Sequence, residues 1–222
     1  TEGDKEQMDV WCRMIAARGY AVFDVNYRLA PEFKFPAAIN DVLGALIWVR
    51  DHAFEYNGDP NRIGIHGGSA GAHLAALAAA AAGQPGWRPT GHEDRSAAGI
   101  VRAQVLFFGV YDFERPGLMG LTKIPADFLG GKKTAADNYR LASPVNYVRA
   151  DLPPALLVVG GLDPIYPQTM LYHRALKDAG APAELKVYPL QTHGFDVWMK
   201  SPAAQDAFER MMVFFELNLG RK

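Results

Sequence analysis

The chain has 222 residues, a net charge of −1 and 49% apolar residues, enough for one domain with a sizeable core. It has no basic run, which argues against nucleic acid or an anionic membrane surface as partner. The longest apolar run, Ala-rich and just after Ser69, is too short to span a bilayer. Cys12 is the single cysteine, which excludes an internal disulfide and a cysteine-based metal site; within a helix it reads as a buried small hydrophobe.

Residues 1–6 offer neither an initiator Met nor the apolar core of a signal peptide, so the chain reads as starting inside a larger unit. From about Lys5 to Arg18 the pattern is helical, ended by Gly19. Tyr20 to Tyr27 is a β-rich run suited to a strand buried on both faces. Pro36 opens a helix whose Ile39, Val42, Leu43, Leu46 and Ile47 form one apolar stripe, stopping near Asn57-Gly58. Arg62 to His66 is the next strand, then a glycine-rich turn and a helix to about Ala82. Val101–Phe108, Pro154–Val159 and Ala183–Tyr188 read as strands. Tyr166–Ala179 and a segment around Phe208, Met211, Met212 and Phe215 read as helices. Alternating strands and helices predict a single α/β domain over 1–222 with a mostly parallel sheet flanked by helices. Residues 83–96 and 113–147 are the long irregular stretches, the latter a candidate lid or pocket insertion.

Gly67-Gly-Ser69-Ala-Gly71 fits G-x-S-x-G between a strand and a helix. Such a turn strains the serine backbone and exposes its hydroxyl. The residues two before and two after approach closely, so both are expected to be glycine. The N–H of Ala70, at the start of the helix, would donate to a developing oxyanion. The bland alternative is a glycine-rich turn with Ser69 as a helix cap. His66-Gly67-Gly68 resembles an oxyanion loop but overlaps the turn itself, so His66 reads as the buried last residue of a strand. His73, one turn into the helix, is too close to Ser69 to be its base and reads as packing or pocket wall.

A nucleophile of this kind is followed along the chain by an acid and then a histidine, each just after a strand. Asp163, after Val-Val-Gly-Gly-Leu, and His193, in Thr-His-Gly-Phe, satisfy that order. Asp163 would orient the imidazole, and His193 would take and return the Ser69 proton. Alone, each is ordinary: a helix cap and a loop histidine. Asp112 and Asp196 are competing acids, the second too near His193 in sequence to suit.

With Tyr27-Arg-Leu-Ala-Pro-Glu32, Phe35-Pro-Ala-Ala38, Asp59-Pro-Asn-Arg-Ile63, Ser143-Pro144 and His193-Gly-Phe195, these residues resemble α/β-hydrolase esterases of the hormone-sensitive-lipase-like group. The resemblance implies the α/β-hydrolase fold and hydrolysis of a small-molecule carboxylic ester, without metal or organic cofactor. Gly68 stands where that group usually has aspartate. With His-Leu-Ala-Ala-Leu after the turn, this is more similar to the acetyl- and feruloyl-esterase-like branch that deacylates carbohydrates. The substrate is therefore a short-chain acyl ester or an acylated sugar.

The family's three first strands and its His-Gly-Gly-Gly loop have no counterpart here. Its strand order would place a missing strand between residues 20–27 and 62–66, supplied by an N-terminal segment or a second chain. Gly68, Phe113, Leu118, Met119, Leu121 and Phe128 are candidate substrate-binding residues, the last five because they follow the C-terminal end of a strand. An amidase, formamidase or peptidase with the same triad, and a non-catalytic binding protein of this fold, are the alternatives. A homo-oligomer is compatible with the sequence; the compartment reads as cytoplasmic, with secretion as the alternative.

Overall fold

The computed structural model describes residues 8–115 and 123–220. Four strands, β1 (Ile63–Gly68), β2 (Val101–Phe107), β3 (Ala155–Gly160) and β4 (Ala183–Tyr188), form an all-parallel sheet in that order. Among the described residues seven α-helices accompany it: α1 (Asp9–Ala16), α2 (Ala37–His52), α3 (Ala70–Ala81), α4 (Lys123–Leu129), α5 (Ala136–Leu141), α6 (Tyr166–Asp178) and α7 (Pro202–Leu219).

The side-chain period of two along each strand divides the core between two faces. Ala103, Val105, Phe107, Leu156 and Val158 pack with Trp11 of α1 and with Phe208, Met211 and Phe215 of α7. Leu106, Ala155 and Leu157 face the other way, onto Ala72, Ala75 and Ala76 of α3 and Tyr172 and Leu176 of α6. Covered on both faces, β3 is buried along its whole length, as its sequence Ala-Leu-Leu-Val-Val-Gly requires. The alanine run of α3 follows from its place: it packs on β1, β2 and α2 together, and small side chains let the backbones approach.

The apolar stripe of α2 packs beside α3, and on its outer side the 83–100 segment is tied down by polar bonds. Thr90 donates its N–H to the Asn40 carbonyl (2.9 Å) and its hydroxyl to Asp41 Oδ1 (2.6 Å), while Arg28 pairs with the same carboxylate (2.7 Å). Gly44 makes this seating fit, since a Cβ there would lie 2.3 Å from the Thr90 carbonyl oxygen.

Residues 20–27 depart from the expected strand. Among the described residues no strand forms over 20–27, and within the sheet β1 ladders with β2 alone. Tyr20 packs on Phe215, and Phe23 lies edge-on to Trp48 and Tyr56, so the segment is held by its side chains. β-propensity fits side chains to a pleated surface but does not supply a bonding neighbour. The described residues of the 113–147 stretch contain more regular structure than expected, namely α4, α5 and a 3₁₀ turn over Pro144–Tyr147. Cys12 is half-buried rather than buried, with its Sγ 3.6 Å from Asp24 Oδ2; burial and that carboxylate push the thiol up to about 11, leaving it unreactive.

Candidate active site

The site lies at the C-terminal edge of the sheet. β1 ends at Gly68 and α3 begins at Ala70, so Ser69 alone makes the turn, with φ 52° and ψ −113°. Its N–H donates to the Phe107 carbonyl at 2.9 Å, which fastens the turn to β2. A Cβ on Gly67 would sit 2.4 Å from the carbonyl carbon of Gly71, so this position excludes any side chain. The demand is one-sided. A Cβ on Gly71 would meet nothing within 4 Å, because it is the Gly71 backbone that presses on Gly67. Ala70, the first residue of α3, has its N–H at a helix start, where no intrahelical acceptor exists.

Two glycines at the end of β3 prepare the acid and the base together. A Cβ on Gly160 would lie 2.2 Å from the Gln191 carbonyl oxygen, and one on Gly161 2.6 Å from that of Pro189. The loop after β4 can therefore lie directly over the end of β3. This brings His193 beside Asp163, whose side chain is fully buried. Asp163 Oδ1 accepts the Ile165 N–H (2.8 Å) at the entry to α6, and Oδ2 accepts from His193 Nδ1 (2.8 Å). With the proton on Nδ1, Nε2 is left as an acceptor, and it stands 2.9 Å from Ser69 Oγ. A hydroxyl, an imidazole and a buried carboxylate thus form one hydrogen-bonded chain, an arrangement that can deprotonate Ser69 as it attacks an electrophile.

Of the competing acids, Asp112 is engaged elsewhere. It pairs with Arg115 at 3.0 Å and accepts the Glu114 N–H at 2.9 Å. His66 lies inside β1 rather than at its end, with Nδ1 3.3 Å from the Val105 carbonyl and its ring stacked on Trp11 at 5.4 Å. His73 is buried and donates from Nε2 to the Ala142 carbonyl at 2.7 Å. Burial lowers both histidines to about 4, so both are neutral. The rings of Phe113 and Phe128 stand edge-on to His73 at 5.1 and 5.7 Å. Phe128 also meets Phe35 (5.9 Å), so these aromatic side chains form a continuous wall one helical turn beyond Ser69. Leu118, Met119 and Leu121 lie outside the described residues. Among the described residues no three metal-ligating side chains gather, and no helix is long and apolar enough to cross a membrane.

Sequence reasoning missed Phe108. It is held at φ 41°, an uncommon conformation for a bulky residue, with its ring 4.7 Å from that of His193. A strand ending in two phenylalanines gives no sign of which one turns into the site.

A protein family described as alpha/beta hydrolase fold matches residues 2–197. Esterase LipQ of Mycobacterium tuberculosis is 39% identical over 189 residues, covering 81% of this chain and 44% of LipQ. Esterase LipI of the same organism is 33% identical over 228 residues, covering 95% of this chain and 67% of LipI. The chain thus spans less than half the length of the first of these relatives. Among solved structures, EstE1, a thermostable carboxylesterase cloned from a metagenomic library, superposes with a TM-score of 0.82 at 30% identity, covering 99% of this chain and 76% of EstE1. The chain belongs to the α/β-hydrolase fold family, in its hormone-sensitive-lipase-like branch.

Proposed function

We propose that the protein is a serine esterase that cleaves short-chain acyl esters through Ser69, His193 and Asp163. The observation that carries this reading is the unbroken hydrogen-bonded chain from Ser69 Oγ through His193 to Asp163. As Ser69 Oγ adds to the ester carbonyl carbon, its proton passes to His193 Nε2, and Asp163 stabilises the imidazolium. The oxyanion is met by the Ala70 N–H and the field of the α3 N-terminus. Collapse of the tetrahedral adduct expels the alcohol, which takes the proton from His193, and leaves an acyl-serine. Water then gives a proton to Nε2 and its oxygen to the acyl carbon. The acid departs as Ser69 recovers the proton.

Gly68 before the nucleophile favours an acylated carbohydrate as one substrate class. Amide hydrolysis uses the same three groups; the esterase names of LipQ, LipI and EstE1 weigh toward esters. A non-catalytic role would leave the strained Ser69 turn without purpose. We assign the second oxyanion donor to a backbone N–H from outside the described residues, carried beside a strand that pairs the free edge of β1. Among the described residues β1 pairs with β2 alone, and the chain covers less than half of LipQ. One such donor is worth about 3–4 kcal/mol of transition-state stabilisation.

The test is hydrolysis of p-nitrophenyl acetate, octanoate and acetanilide, and of an acetylated xyloside. Acetate should be cleaved faster than octanoate and far faster than the anilide, and Ser69→Ala should lower kcat by roughly 10³–10⁶. Wild-type turnover in Ser69→Ala would overturn the assignment.

A further inference from the structure

Asp196 sits in the 3₁₀ turn Phe195–Val197, three residues after His193, and is 4% exposed. Its Oδ1 is buried and has no hydrogen-bond partner among the described residues. A buried carboxylate with an unsatisfied oxygen is costly, so its retention beside a reactive site calls for a compensating role. Across from it stands the residue before the nucleophile: a Cβ on Gly68 would lie 3.8 Å from Asp196 Oδ2 and 3.4 Å from the ring of Phe108. Phe108 in turn leans on His193 and Phe195. Asp196, Phe108 and the bare backbone of Gly68 therefore close the space between the nucleophile turn and the His193 loop. A side chain at position 68 would therefore stand at van der Waals distance from the Asp196 carboxylate.

Resting on the Ser69–His193–Asp163 reading, we propose that Asp196 is a second acidic positioning residue of the active site, acting through His193. Its anion favours the imidazolium that forms during turnover. Burial pushes Asp196 up to about 6, while the backbone N–H groups of Asp196 and Val197 and the charge of His193 pull it down. From the elements packed around it, the nucleophile turn, the end of β2 and α7, no other ionisable group acts on it among the described residues. Activity should therefore require two groups to lose protons as pH rises, His193 and Asp196.

The experiment is the pH dependence of kcat/KM for p-nitrophenyl acetate from pH 4.5 to 9, in the active wild-type protein and in Asp196→Asn and Gly68→Asp. Wild type should lose activity in acid more steeply than one proton allows. Asp196→Asn should show a single-proton limb, a lower midpoint and a kcat reduced tenfold or more, with KM within twofold. Gly68→Asp sets a second carboxylate beside the first and should move the midpoint up. If Asp196→Asn fails to fold, the shift in Gly68→Asp decides the matter. A wild-type acid limb and kcat in Asp196→Asn, or an unmoved midpoint in a folded Gly68→Asp, would overturn the proposal. Loss of turnover in Ser69→Ala alongside an unchanged Asp196→Asn would remove Asp196 and leave the esterase reading standing. Turnover in Ser69→Ala would remove both.

Discussion

Gly67 and Gly71 meet back to back under the nucleophile, with the missing Cβ of Gly67 only 2.4 Å from the Gly71 carbonyl carbon, while a Cβ on Gly71 would point into open space. Equal glycines in the motif thus carry unequal demands. Gly67→Ala should separate β1 from the start of α3 and lower kcat at least a hundredfold, because displacement of a reacting group by about 1 Å costs that much. Gly71→Ala should leave the thermal midpoint within a few degrees of wild type. Circular dichroism melting and ester turnover of the two variants check the contrast.

Asp163 holds the proton of His193 on Nδ1 and at the same time caps α6 through Ile165. Asparagine can still accept the Ile165 N–H, so Asp163→Asn should fold. Its amide can turn an N–H toward Nδ1, which puts the proton on Nε2, the wrong nitrogen for a base. The loss in kcat should be on the order of 10³–10⁴, with KM little changed. A steady-state comparison with wild type at pH 8, with melting as the control for folding, tests this.

His66 and His73 are both lowered from 6.5 to about 4 by burial. Between those values the unfolded chain binds protons that the folded chain refuses, so stability falls as pH drops from about 6.5 toward 4. Each histidine contributes a slope of up to about 1.4 kcal/mol per pH unit. Asp196, raised to about 6, holds a proton that the unfolded chain releases and opposes one histidine over the lower part of that range. Urea midpoints should therefore fall from pH 7 to 4.5, and His73→Gln should flatten the fall. A steeper decline in His73→Gln would contradict this account.

Gly44→Ala separates two effects of opposite sign. Within a helix the exchange gains about 1 kcal/mol of propensity. Here the new methyl would stand 2.3 Å from the Thr90 carbonyl, whose segment is pinned by Asn40, Asp41 and Arg28. Overpacking costs typically about 1–3 kcal/mol, so the variant should be destabilised, and more so than Gly83→Ala, whose Cβ would meet a single methyl at 3.4 Å. Denaturant unfolding of the two gives the comparison.

The β4 run Ala183–Tyr188 and the Ser69 turn were legible because each depends on neighbours in sequence: alternation in the one, a glycine-flanked serine between strand and helix in the other. The order of Ser69, Asp163 and His193 was legible for a different reason, since the fold delivers each from the end of a strand. Residues 20–27 were misread because a strand is defined by its partner, which no local pattern contains. Helices α4 and α5, of seven and six residues, are too short for a period of 3.6 to stand out. Asp196 was set aside as too near His193 in sequence. It lies in the 3₁₀ turn after His193, buried and across from Gly68, a placement that the sequence does not show.

Ser69 and His193 stand 124 residues apart, and both glycines that seat the His193 loop belong to a third segment, at the end of β3. The entropy of gathering these groups is met once, when the sheet closes, and not again at each turnover. Loop closure grows costly only slowly with length, so distance along the chain is a minor part of that cost. What the substrate meets is already ordered, and binding energy can go into the reaction instead of into assembly. The same economy makes the site indivisible: a fragment ending before β4 would keep the strained serine and have no base to use it.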